Sequence, residues 1–142
     1  MLKDYVATKR KVEFDGGNFE VRGISLPDVA AAVLNHREAV DRIATVIRLQ
    51  DQLSMDDLGA VLEIVIDVIK ESPYLAADLI CSCAEEPEEF STAFKLPLSV
   101  QVEALRAIGE LTFTDANALK KLIADVSTLL TGILPAPTAA AA

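Results

Sequence analysis

The chain has 142 residues, 51% of them hydrophobic and only 5% aromatic, and 22 acidic against 13 basic side chains leave a net charge of −9. That length suits one domain with a sizeable core and is short for two. An acidic body without tryptophan repels nucleic acid and anionic lipid and offers few stacking platforms for bases, while charges in every window of about 18 residues exclude a transmembrane helix.

The opening MLKDYVATKRK lacks the apolar stretch of a secretion signal. Cys81 and Cys83, two positions apart, cannot form an ordinary disulfide within one helix and suit a reducing compartment. A cytoplasmic protein is expected. Residues 1–24 hold five basic and four acidic groups, so the remainder carries eight and eighteen, about −10.

After an N-terminal segment, 1–8, residues 9–14 alternate with Val12 and Phe14 on one side, and 19–23 alternate again after Asp15-Gly16-Gly17-Asn18. This predicts a β-hairpin over 9–24, whose apolar face must lie on helices or pair with another chain, because an isolated hairpin is marginal in water. Ser25-Leu26-Pro27-Asp28 then has the make-up of a helix start. Val29, Val33, Leu34, Val40, Ile43, Val46 and Ile47 continue at helical spacing to about residue 50, with a break at Asn35-His36 that favours two helices.

Residues 53–71, LSMDDLGAVLEIVIDVIKE, form the strongest helical pattern, with Leu58, Val61, Leu62, Val65, Val68 and Ile69 on one face and Ile64 and Ile66 widening it. Ser54 and Asp57 offer a capping-box-like start, and Ser72-Pro73 supplies a stop. At roughly 1.5–3 kcal/mol for each large side chain buried, so broad a face requires several helices around it. Residues 73–84 give another helix, ending in the acidic run 85–89. Phe90 and Phe94 follow as aromatic contacts. A helix from 97 to about 113 and a last one, capped by Thr114, complete a helical domain over 25–131. The tail 132–142, rich in alanine and proline, has neither periodicity nor charge and is expected to be disordered. The expected fold is therefore mainly α, an N-terminal β-hairpin followed by a compact bundle of about six to seven short helices.

Candidate chemistry is sparse, and no catalytic, cofactor-binding or metal-binding residue is assigned. His36 is the only histidine and reads as a solvated helix-end residue. Cys81-Ser82-Cys83 lacks zinc-knuckle spacing, and no second ligand pair completes four. Asp56, Asp57 and Glu63 do not pair, because adjacent helical residues diverge by about 100°. Asp15-Gly16-Gly17 has no following lysine and no strand-to-helix context for a phosphate loop. A partner is better served by an aliphatic face, and the one taken for it runs through Val100, Leu105, Ile108, Leu111 and Phe113, then Leu122 and Leu129.

At 95–113, KLPLSVQVEALRAIGELTF, the chain resembles the tail assembly chaperones of long-tailed bacteriophages, also called pre-tape-measure proteins, and FEVRGISLPDVAAAV and SPYLAADLICSCAEEPE agree with that pattern. The similarity spans about residues 19–122. It implies a non-enzymatic chaperone in the host cell cytoplasm that binds the long helical tape measure protein and keeps it soluble until tail tube subunits polymerise. Such a protein is absent from the mature virion. In this family a longer frameshifted form recruits the tail tube protein, and self-association is a further expectation. The alternative reading is a structural or oligomeric adaptor of a phage particle that pairs through the hairpin edge.

Overall fold

The computed structural model describes residues 1–51 and 57–133, the side chains of 50, 51 and 129–133 excepted. Strands β1 (Lys9–Phe14) and β2 (Gly17–Arg22) precede seven α-helices among these residues: α1 (Leu26–Asn35), α2 (Arg37–Asp51), α3 (Leu58–Lys70), α4 (Pro73–Cys83), α5 (Phe90–Lys95), α6 (Leu98–Thr112) and α7 (Ala116–Ile133). This is the expected hairpin and helical bundle. No described helix is long and apolar enough to cross a membrane.

The strands pair antiparallel from Lys9↔Arg22 to Phe14↔Gly17. The turn is only Asp15-Gly16, shorter than the four residues expected, because Gly16 takes φ +98°, a left-handed angle open to glycine without steric cost, and lets the chain reverse within two residues. Register puts Arg10, Val12 and Phe14 on one face with Val21 and Phe19. That face lies on α6: Val12 and Val21 are fully buried, and Arg10 reaches Glu110 at 2.6 Å.

Helix α1 starts as its sequence dictates, with the Ser25 backbone N–H and hydroxyl both donating to Asp28 Oδ2 at 2.8 and 2.9 Å. His36 breaks α1 from α2 with non-helical angles. It is not solvated: its ring is mostly buried, and Nε2 meets the Asp78 carboxylate, pinning this corner to α4. Asp57 is itself the cap of α3, accepting from the Ala60 N–H at 2.9 Å, while Ser54 lies outside the described residues. Asp115 rather than Thr114 caps α7, accepting from the Ala118 N–H at 2.8 Å. Residues 134–142, most of the expected tail, also lie outside the described part.

Two helices share the centre. Helix α3 buries Val61, Leu62, Ile66, Val68 and Ile69, and α4 buries Leu75, Ala76, Ala77, Ile80, Cys81 and Cys83 between α1, α3, α5, α6 and β2. The small residues of α4 allow this crowding. Helices α3 and α6 meet at Gly109, where a Cβ would come within 2.6 Å of Leu62 Cδ2. At the end of α4 the N–H groups of Glu86 and Glu85 return to the carbonyls of Cys81 and Ser82, with Glu85 at φ +62°, a Schellman closure without glycine.

A charged joint ties hairpin, α1 and α4 together. Arg22 donates to Asp28 Oδ2 at 2.7 Å, to the Gly23 carbonyl at 2.8 Å and to the Ser82 carbonyl at 3.1 Å, with Glu85 at 3.5 Å. Burial pushes the Asp28 carboxyl up, but Arg22 and the Ser25 donors outweigh it and hold the group below the usual carboxylate range.

Candidate docking surface

Pro73 occupies the first turn of α4, where its missing N–H costs nothing, and Tyr74 stands beside it in the first turn, 62% exposed. Phe90 and Phe94, one helical turn apart on the short α5, share a face. The three rings form a cluster, with centroids 6.3 Å apart for Tyr74 and Phe90, 5.2 Å for Tyr74 and Phe94, and 6.0 Å for Phe90 and Phe94. These are ordinary aromatic packing distances, and they tie the exposed tyrosine to α5. Phe90 is half-buried and braces the cluster against the core, while Phe94 is partly open to solvent.

The cluster continues into a cleft of about 700 Å³ between the α1–α2 corner and the α3–α4 corner, lined by Leu34, His36, Arg37, Glu71 and Tyr74. Leu34, in the last turn of α1, is 64% exposed. Exposed apolar side chains from three different elements, Leu34, Tyr74 and Phe94, thus stand along this cleft and its edge, interrupted by the polar side chains of Asn35, Arg37 and Glu38 that also line it. Acidic groups border it: Glu38 and Glu71 in the cleft, Glu88 and Glu89 just before Phe90. Glu71 also pairs with Arg42.

Burial pushes the Cys81 thiol up and the Cys83 thiol to about 12, so both stay protonated near neutral pH and are poor nucleophiles. Among the described residues no group of histidine, cysteine, aspartate or glutamate side chains is arranged to hold a metal ion.

The face expected to bind a partner lies mostly inside. Val100, Leu105, Ile108 and Phe113 are buried in the main core, and Leu111 and Leu122 are half-buried against it. Phe113 and Leu122 meet around an internal apolar gap of about 110 Å³ beneath α7. Leu129 lies in α7 but outside the described side chains. The face expected from the sequence does not include Leu34 or Tyr74. Three of the seven aromatic residues falling within 74–94, beside an acidic run, is the signal that marks this region.

A family model described as Pre-tape measure protein matches residues 1–141. No curated protein and no solved structure matches the chain.

Proposed function

The chain belongs to the pre-tape measure protein family, and on that premise we propose that it binds the tape measure protein and keeps it soluble until tail tube subunits polymerise. The family name sets the chain in phage tail assembly, in association with the tape measure protein, and points to an assembly protein rather than an enzyme. The observation that carries the finer reading is the row of exposed apolar side chains Leu34, Tyr74 and Phe94, with Glu38, Glu71, Glu88 and Glu89 bordering it. An amphipathic helix laid along it buries apolar area on both partners, while the net charge of −9 keeps coated complexes apart.

The contact has to be reversible, because tube subunits must displace the chaperone. A strip with few aromatic anchors and no tryptophan suits repeated weak contacts better than one tight hot spot. In this reading the protein works in the host cell cytoplasm and leaves before the virion is complete. Recruitment of the tail tube protein falls to a longer frameshifted form.

The test is co-expression with the tape measure protein, followed by affinity capture and a count of soluble tape measure with and without the chain. Capture and rescue are expected for the natural sequence, and their loss for Tyr74→Asp and Phe94→Asp at unchanged helicity. Failure to capture, with the chain retained in purified particles, would replace the chaperone reading by that of a structural component.

A further inference from the structure

The hairpin is a two-stranded sheet with two different edges. Beside β2 stand α4 and the Arg22 joint, whose guanidinium is bonded to Asp28 and to the Ser82 carbonyl. The edge of β1 is open. The two-residue turn makes Phe14 and Gly17 a hydrogen-bonded pair, so Val12 and Arg10 also bond to β2, while the N–H and C=O groups of Lys9, Lys11 and Glu13 point away from it. Among the described residues no backbone group outside the hairpin bonds to residues 9–14. Two strands alone are marginal in water, and an open edge is a template for a third.

Charged side chains on an edge ordinarily keep copies apart. On β1 their signs change at the middle of the strand: Lys9 and Lys11 precede Val12, and Glu13 and the turn residue Asp15 follow it. Laid antiparallel on a copy of itself about Val12, the strand sets Lys11 opposite Glu13 twice and brings Lys9 to Asp15 twice. Every other centre from Arg10 to Phe14 sets like charges opposite: Lys9 and Lys11 about Arg10, Lys11 or Glu13 on itself, Glu13 and Asp15 about Phe14. The charges are therefore self-complementary in one register. Lys11 and Glu13 are exposed and form no ion pair among the described residues, whereas Lys9 is shared with Glu85 at 3.7 Å.

We propose that β1 pairs antiparallel with β1 of a second copy, centred on Val12, and joins two hairpins into one four-stranded sheet. The backbone agrees with the charges. Val12 spends its N–H and C=O on β2, so it forms the non-bonded pair at the two-fold axis, and Lys11 and Glu13 on either side supply four hydrogen bonds to the copy. The helical floors fit beneath. A helix about 10 Å across matches two strands about 4.8 Å apart, so α6 of one copy lies beside α6 of the other. The pairing uses none of Leu34, Tyr74 and Phe94 and stands apart from tape measure binding, so either reading can fail while the other holds.

Sedimentation equilibrium of the full chain over a wide concentration range tests it. Dimerisation is expected, weakened tenfold or more by Glu13→Lys, which sets lysine opposite lysine. Glu13 is exposed and faces Asn18 across its own hairpin, so circular dichroism should remain that of the natural chain. Lys11→Glu should weaken association alike, with its fold checked in the same way because Glu20 stands opposite it on β2. Combining Lys11→Glu with Glu13→Lys should restore association, and so should mixing the two single variants, since an all-acidic edge then meets an all-basic one. A chain monomeric at all concentrations overturns the proposal. So does association that Glu13→Lys leaves unchanged, or a loss that neither the double variant nor the mixture restores.

Discussion

Replacing Arg22 by methionine isolates the charged joint, because methionine keeps most of the apolar stem and removes the guanidinium. The side chains of Arg22 and Asp28 are only 19% and 9% exposed, so the loss leaves a largely buried carboxylate with the Ser25 donors but no counter-charge in the joint, and two backbone acceptors, Gly23 and Ser82, without their donor. Removing one partner of a fully buried pair costs about 3–5 kcal/mol, and with one end of this pair partly wet, about 2–4 kcal/mol is expected. Urea unfolding followed by circular dichroism measures it, the midpoint falling at nearly constant slope. The pH dependence is the sharper readout. In the natural chain the Asp28 carboxyl sits below its unfolded value of about 3.9, so its contribution is full above that value and is lost as pH falls through the folded one. In the variant burial is no longer offset by Arg22, the carboxyl moves up, and acid relieves the stranded charge. The stability gap should therefore be widest at neutral pH and narrow between about pH 5 and pH 3. Asp28→Asn added to Arg22→Met should recover part of the loss. A single variant within 0.5 kcal/mol of the natural chain, or a gap that widens in acid, would refute the reasoning.

Other consequences are as direct. Leu75→Ala, at a side chain 1% exposed on α4, should cost about 2–5 kcal/mol in chemical unfolding, whereas Leu49→Ala at an exposed position of α2 should stay within about 0.5 kcal/mol. Thr112→Val keeps the shape but removes the oxygen that accepts from the Ile24 N–H at 2.8 Å, so a loss of about 1–3 kcal/mol and faster amide exchange at Ile24 are expected by NMR. Cys83 should resist thiol reagents at pH 8 until urea unfolds the chain. Because its folded value is raised to about 12, unfolding releases a proton above the ordinary thiol range, and stability should fall there by up to about 1.4 kcal/mol per pH unit, a slope that Cys83→Ala reduces.

Local rules made much of the fold legible. Ser25 and Asp28 mark the start of α1, Asn35-His36 marks its break from α2, and the alternation around Val12 and Val21 marks a hairpin that needed a helical floor. The sequence points to caps one to three residues early, at Ser54 and Thr114, because several oxygen-bearing side chains near a helix start qualify equally until backbone angles select one. Asp57 and Asp115 are the ones selected. The candidate site was much less legible. A periodic apolar face such as Val100, Leu105 and Ile108 gives the same signal whether the chain itself or a partner covers it, and here the hairpin and α3 and α4 cover it. The exposed strip has no period at all, since Leu34, Tyr74 and Phe94 come from three elements that only the tertiary fold brings together.

The docking of the first strand on the sixth helix has a consequence for synthesis. Arg10 and its partner Glu110 are 100 positions apart, and Val12 and Val21 lack most of their cover until α6 exists. At about 5–20 residues per second, ribosomes need about 5–20 s to make that stretch, during which the hairpin has left the exit tunnel without its floor. The hairpin, made well before its floor, is therefore among the last elements to settle, and for that interval its valines are open to whatever apolar chain lies nearby.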